Sequence, residues 1–185
     1  MKQLAGFALG LMLTGAAWAG TVAGVTMAET SMAGSEKLVL NGMALRSKAI
    51  FKVYVAGLYL PTQTADAGAV LAADQPRQVV MHWLRNVDKD AICEAWNEGL
   101  AANTPNASAE TKKAFETLCS YMTPSKTGDR YVFTYMPGEG TTVEVAGAKK
   151  GTIPGKEFAD ALFASWIGPK PGPGPDFREA LMGKG

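Results

Sequence analysis

With 185 residues, 47% of them apolar, the chain can bury one hydrophobic core without relying on staples, so one domain is the economical reading. Its 18 basic residues fall to 17 if Lys2 is removed, matching the 17 acidic ones. That balance argues against nucleic acid or an anionic membrane as partner, because both are recruited mainly by clustered positive charge.

Lys2 gives the chain a positive start, Leu4 to Ala16 form an apolar stretch, and Ala17-Trp18-Ala19 supplies a small-x-small cleavage site before Gly20. Residues 1–19 are therefore expected to be a signal peptide and the mature protein to be periplasmic or secreted. The apolar stretch is shorter than the roughly 20 residues a helical span requires and breaks at Gly10, Thr14 and Gly15, so no integral span is expected after cleavage. Residues 20–35, rich in Gly, Ala, Thr and Met and without periodicity, are expected to be a flexible leader, leaving 36–185 as the domain.

Lys37 to Leu40 followed by Asn41-Gly42 predicts a strand entering a type I′ hairpin turn, since Asn-Gly tolerates positive φ. Ile50 to Leu60 is a long β-branched and aromatic strand that Pro61 ends by removing a backbone donor. An Ala-rich helix over 65–73 has Thr64 as its expected cap. Arg77 to Arg85 then alternates as a strand, with Val79, Met81 and Trp83 on one face and Val80, His82 and Leu84 on the other.

Asp88 is placed to cap a helix over 89–101, and Ser108 to open a second with Thr111, Phe115, Leu118 and Met122 near one face. The two form a helical hairpin about Asn103 to Asn106. If the turn centres near Asn106, antiparallel pairing sets Cys93 opposite Cys119, a possible disulfide in an oxidising compartment. Three strands follow, Arg130 to Met136, Thr141 to Val145 and Lys150 to Ile153, joined at Gly138-Glu139-Gly140 and Ala146-Gly147. A helix over 155–167, a stiff Pro/Gly tract over 169–175 and a short last helix complete the chain. Strands, helices, strands and helices without βαβ alternation predict an α+β fold, an antiparallel sheet with helices on one face.

Several signals of chemistry fail. Gly155-Lys156 is followed by Glu157 and lacks the first glycine of a phosphate loop, and Gly138-Glu139-Gly140 joins two strands instead of opening a helix. His82 is the only histidine and reads as a strand residue; no metal site and no cofactor are expected. Asp88, Asp90, Glu94 and Glu98 read as caps and solvated surface. Trp83, Trp96, Trp166, Phe133 and Phe163 are candidates to line an apolar cleft, although aromatics at these spacings also simply build core.

Two blocks together resemble the chalcone isomerase-like family, in a secreted bacterial branch. The first is Asn41 to Pro61, in which Gly42 and Arg46 lead into Phe51-Lys52-Val53-Tyr54-Val55-Ala56-Gly57-Leu58-Tyr59-Leu60. The second runs from Gly151 through Phe158 to Pro169. The resemblance spans roughly 37–181 and implies an open-faced β-sandwich, a large antiparallel sheet covered by a helical layer with a ligand cleft between them. In the family's fatty-acid-binding branch, an Arg and a Tyr at the positions of Arg46 and Tyr54 hold the ligand carboxylate. Guanidinium suits a carboxylate bidentately and a phenol adds a neutral donor. On one continuous strand eight residues would separate these two by about 26 Å, so they share a site only if the chain folds back, for which Ser47-Lys48-Ala49 is a place.

True chalcone isomerases close a flavanone ring by phenolate attack on an enone. The chain departs from them, because Tyr54 stands where the plant enzymes use Thr, and Tyr121 and Asn106 sit outside the motif that completes their site. The reading is a monomeric, cofactor-free protein that binds a small apolar carboxylate such as a fatty acid. A chalcone-type intramolecular lyase and a periplasmic interaction protein are the rival readings.

Overall fold

The computed structural model describes residues 18–184. Most of the expected signal peptide, residues 1–17, lies outside them, while Trp18 and Ala19 begin the first strand.

Seven strands form one antiparallel sheet in which every neighbour in space is a neighbour in sequence: β3 (Thr30–Ala33), β4 (Glu36–Lys48), β5 (Phe51–Leu60), β6 (Arg77–Trp83), β7 (Arg130–Met136), β8 (Gly140–Val145) and β9 (Ala148–Ile153). One face is covered by α1 (Ala67–Ala72), α2 (Lys89–Asn103), α3 (Ala109–Tyr121), α4 (Lys156–Ile167) and α5 (Pro175–Leu181). Alternation along the strands sorts side chains between the faces. Val79, Met81 and Trp83 of β6 join the core under the helices, and Val80 joins a smaller cluster on the reverse face. The α+β architecture, a large sheet under a helical layer, is the expected one. No helix among the described residues is long and apolar enough to cross a membrane.

The expected leader is instead structured. β1 (Trp18–Val22) and β2 (Val25–Ala28) form a separate hairpin, and β3 is the edge strand of the main sheet. Val25 and Met27 are buried against Val55, Tyr59 and Val80 on the reverse face. Met27 Sδ occupies the space a β-carbon on Gly57 would take, and Tyr59 donates its hydroxyl hydrogen to the Ala28 carbonyl at 3.0 Å. Few large side chains are needed here because the hairpin lies on a sheet surface that is already apolar.

Asn41-Gly42 is likewise no turn but lies inside β4, at a bulge in its pairing with β5. Tertiary contact overrides the turn propensity. Asn41 is buried, donates from Nδ2 to the Leu181 carbonyl at 2.8 Å and accepts from the Thr64 amide at 2.7 Å. A β-carbon on Gly42 would meet the carbonyl oxygen of Ala180, so glycine here admits the end of α5 against the strand. The type I′ geometry occurs at Ala23-Gly24 (φ 50° and 83°) and at Ala146-Gly147 (φ 51° and 81°).

The caps divide. Ser108 caps α3 as expected, accepting from the Thr111 amide at 3.1 Å. Helix α1 begins two residues later than expected, with Asp66 accepting from the Ala69 amide at 2.9 Å while Thr64 serves the Asp66 amide. Asp88 occupies the cap position of α2 with extended dihedrals but makes no capping hydrogen bond.

Candidate functional site

The β4–β5 turn at Ala49-Ile50 folds the chain back, so that Arg46 and Tyr54 are direct partners across the ladder. Directly opposed residues have side chains on the same face. Tyr54 belongs to the core under the helices, as does Ala44, two residues before Arg46, so both candidate residues project to the helical side. A bulge follows immediately between Arg46 and Ser47, a device that re-aims a side chain at a strand end.

Above this pair the helical layer leaves a cleft of about 540 Å3, within the range of about 300–1,000 Å3 usual for small-molecule sites. Its floor comes from Arg46, Val53, Tyr54, Met81 and Trp83, and its roof from Ile92, Ala95 and Trp96 of α2 with Ser165 and Trp166 of α4. Gly172 and Pro173 contribute one wall. The exposed Lys48, Phe51 and Arg85 lie on the lining too, with the Arg85 guanidinium 4.5 Å over the Phe51 ring.

Arg46 is half-buried and donates from Nη1 to the Pro173 carbonyl at 3.0 Å; among the described residues it makes no ion pair. That single bond orients the guanidinium and leaves most of its five donors available. Tyr54 is buried between Trp83 and Phe177, with ring centroids 5.4 and 5.9 Å away, both edge-on. Its hydroxyl accepts from Trp166 Nε1 at 3.3 Å, which fixes the oxygen and leaves the phenolic hydrogen free to donate. Burial pushes the Tyr54 phenol up to about 12, against smaller lowering effects of the Trp166 hydrogen bond and the Arg46 charge. It is therefore a neutral donor at physiological pH, beside a permanent cation. Together they match an oxyanion: charge from one partner, a directed hydrogen bond from the other.

Of the aromatics expected at a cleft, Trp83, Trp96 and Trp166 line it, whereas Phe133 and Phe163 are buried in the core behind. Asp88, Glu94 and Glu98 are exposed at the cleft's outer lining, and Asp90 lies outside it. Tyr121 and Asn106 are not brought to the site. The Tyr121 hydroxyl packs against Gly151 of β9, and Asn106 is exposed in the α2–α3 loop. His82 sits on the face of β6 away from the cleft, its pKa lowered by burial and by Arg130. The contributions of Ser165, Gly172 and Pro173 had no local signal, because each reaches the site from more than a hundred residues beyond Arg46.

The helical hairpin does bring the two cysteines together. Cys93 Sγ lies 3.7 Å from the Cys119 carbonyl oxygen, and both thiols are free in this structure. Burial, followed by the neighbouring Cys93, pushes the Cys119 thiol up to about 12.

The chalcone isomerase-like family model matches residues 19–183, including all but the first residue of the β1–β2 hairpin. Among solved structures, a fatty-acid binding protein of Arabidopsis thaliana superposes with a TM-score of 0.69 over 86% of this chain and 92% of its own, at 15% identity. At that identity the likeness concerns the fold. No curated protein sequence matches the chain. With the family model covering nearly its whole length, on the sheet, helical layer and cleft described above, the chain belongs to the chalcone isomerase-like family.

Proposed function

We propose that the protein is an exported, non-catalytic monomer that binds a fatty acid or similar apolar carboxylate in the cleft between sheet and helices. The observation that carries this reading is the pairing of Arg46 with a neutral Tyr54 in a cavity whose inner lining includes Val53, Met81, Ile92 and three tryptophans. The carboxylate is held by the Arg46 guanidinium and the Tyr54 hydroxyl, and the chain lies along Val53, Met81, Ile92 and the tryptophans. The fold shared with a fatty-acid binding protein supports the ligand class. That neither Tyr121 nor Asn106 lines the cleft supports binding over ring closure. Export rests on Lys2, the apolar stretch and Ala17-Trp18-Ala19.

Native mass spectrometry of protein purified from its own host, followed by calorimetry with saturated carboxylates of increasing length, tests the reading. A co-purified carboxylate and saturable binding are expected. Absence of binding together with turnover of a chalcone panel would transfer the cleft to the isomerase reading.

A further inference from the structure

Three large apolar side chains are exposed among the described residues: Met32, Ile50 and Phe51. Met32 lies on the edge strand β3, opposite Lys37 and so at the far end of β4, whereas Ile50 (88% exposed) and Phe51 (54%) are adjacent at the tip of the β4–β5 hairpin. That turn is built against its own local chemistry. The other four hairpin turns among the described residues, β1–β2, β3–β4, β7–β8 and β8–β9, each contain a glycine at positive φ, namely Gly24, Gly34, Gly138 and Gly147. Here Ala49 takes the positive φ, 53°, and the β-branched Ile50 follows it, in a turn that Gly, Asn or Asp would serve better. At that exposure Ile50 contributes almost nothing to the core, so the fold itself gives no reason for an apolar side chain there.

Cations flank the same tip. Lys48 and Phe51 are direct partners across the ladder, on the face that lines the cleft, and Ser47 and Lys52 are the next pair, on the opposite face. Lys48 and Lys52 thus stand on the two faces of the tip, and the Arg85 guanidinium lies over the Phe51 ring. All three cations are exposed and none makes an ion pair; the ion pairs among the described residues are those of Asp160 with Arg77 and Lys156. No acidic residue occurs between Glu36 and Asp66 in the sequence, and the acids of the cleft lining, Asp88, Glu94 and Glu98, belong to α2 and its cap position. The near-balance of charge over the whole sequence, which argues against an anionic membrane, therefore does not describe this end of the molecule.

We propose that the β4–β5 tip docks the protein on an anionic lipid bilayer, with Ile50 and Phe51 entering the boundary of the acyl layer while Lys48, Lys52 and Arg85 meet the headgroup phosphates. Attachment of this kind draws on two sources at once: apolar atoms leave water, and each cation gains from the negative surface potential. A protein partner fits less well. Two side chains fall far short of the roughly 800 Å2 per partner that a stable interface buries, and lysine is depleted from such interfaces. The tip also continues into the cleft, since the exposed Lys48, Phe51 and Arg85 are part of its lining and Arg46 lies two residues behind Lys48. A docked protein thus presents its cleft to the bilayer, where apolar carboxylates partition. Docking stands on the tip alone; only the use of that position, exchange of the ligand with the bilayer, rests on the carboxylate-binding reading.

The test is sedimentation of the protein, purified from its own host, with vesicles of phosphatidylcholine alone and of phosphatidylcholine mixed with phosphatidylglycerol, alongside calorimetry with palmitate in vesicle-free solution and thermal melts to establish folding. Binding to the phosphatidylglycerol vesicles is expected, and it should weaken on pure phosphatidylcholine and at about 0.5 M salt, where surface charges are screened. Ile50→Ser should lower vesicle affinity about tenfold and Lys52→Gln about fivefold. Neither residue lines the cleft, so palmitate affinity should be unchanged in both variants. Ile50→Trp should bind vesicles at least as well as the wild type, because an indole favours the bilayer interface. Failure to sediment with phosphatidylglycerol, with palmitate still bound in solution, would overturn the inference and leave the carboxylate reading standing. Vesicle binding undiminished by both Ile50→Ser and Lys52→Gln would overturn it as well, since the attaching surface would lie elsewhere. Salt-sensitive vesicle binding that Ile50→Ser weakens, in a protein that takes no palmitate, would bear out the docking and overturn the carboxylate reading.

Discussion

Replacing Arg46 by Ala and Tyr54 by Phe should separate charge from hydrogen bonding at the site. Arg46 supplies the full charge directly opposite Tyr54, and without it a carboxylate held at Tyr54 loses its cross-strand partner, the other cations of the lining, Lys48 and Arg85, being exposed. Truncating one partner of a buried charge pair costs about 2–5 kcal/mol, or roughly 30-fold to several thousand-fold in affinity. Tyr54 contributes one neutral hydrogen bond, about 0.5–1.5 kcal/mol, so Tyr54→Phe should weaken binding only about two- to tenfold. The half-buried Arg46 leaves little cavity when truncated, and its one protein bond is to the Pro173 carbonyl. Tyr54→Phe deprives Trp166 Nε1 of its acceptor and should lower stability by about 1–3 kcal/mol even without ligand. The two substitutions are thus ordered oppositely: Arg46→Ala is worse for binding, Tyr54→Phe worse for stability. Calorimetry with palmitate paired with urea melts reads both. Equal palmitate affinity of wild type and Arg46→Ala would refute the placement of the carboxylate, and a stability loss confined to Arg46→Ala would refute the account of the Tyr54–Trp166 contact.

Alkaline titration should show the burial of the phenols. Tyr54 and Tyr135 are both raised to about 12 by burial. Stability is therefore fully present below the unfolded value of 10 and lost as pH rises through 12, by up to about 3 kcal/mol for Tyr54; the part of the 295 nm absorbance that Tyr54→Phe removes should appear together with the loss of circular dichroism, and its appearance near pH 10 with the fold intact would contradict it. At the other end of β6, Arg77 is fully buried, bonded to Asp160 and to the Val70 carbonyl at 2.8 Å, with Tyr135 and Phe163 each 4.9 Å from its guanidinium carbon. Asp160→Ala should cost about 3 kcal/mol by stranding that charge, discounted from the upper end because Asp160 is 32% exposed. Arg77→Met, which leaves Asp160 with Lys156, should cost less; the reverse order in urea melts would contradict the reading. Cys93 and Cys119 should bridge on export or under a strong oxidant but slowly in air, since the Cys119 thiol is pushed up to about 12. Two titratable thiols in the denatured, non-reduced protein from the periplasm would count against the bridge.

The strands and helices that carry strong local signals were legible as sequence: α3 with its Ser108 cap, the β7–β8–β9 meander between its glycine turns, and the alternation of β6 are all present, although β6 ends at Trp83, two residues short of the expected Arg85, and β9 starts at Ala148, two before the expected Lys150. The N-terminal hairpin was not, because its stability is borrowed. Val25 and Met27 alternate over only four residues, too short a pattern to rise above the small residues around them, and they become core only on the reverse face of β5 and β6. Asn41-Gly42 failed for the opposite reason. The local signal is strong, but the same small glycine that permits a tight turn also permits the end of α5 to approach the strand, and the long-range contact wins.

Tyr54 and Arg46 were accessible because one turn brings together residues eight apart, whereas Pro173 and Trp166 reach them from 127 and 112 residues away and no local pattern encodes either. A physical signature of the site nevertheless exists apart from any resemblance. Single departures from local rules occur elsewhere too: α4 and α5 have no side-chain cap, the β8–β9 ladder slips between Val143 and Glu144, and Arg77 Nε and Thr141 Oγ1 are buried without partners. Around the cleft several rules are broken at once. Asp88 stands at the start of α2 without capping it, the ladder slips beside Arg46, and two indoles are buried without acceptors. All of these residues lie on one cavity. Departures from local consistency are expected where a site, and not the fold, sets the requirement. Their convergence on one lining adds to the Arg46–Tyr54 pair as a mark of the cleft, because the Asp88 position and the slip beside Arg46 come from separate elements that meet there.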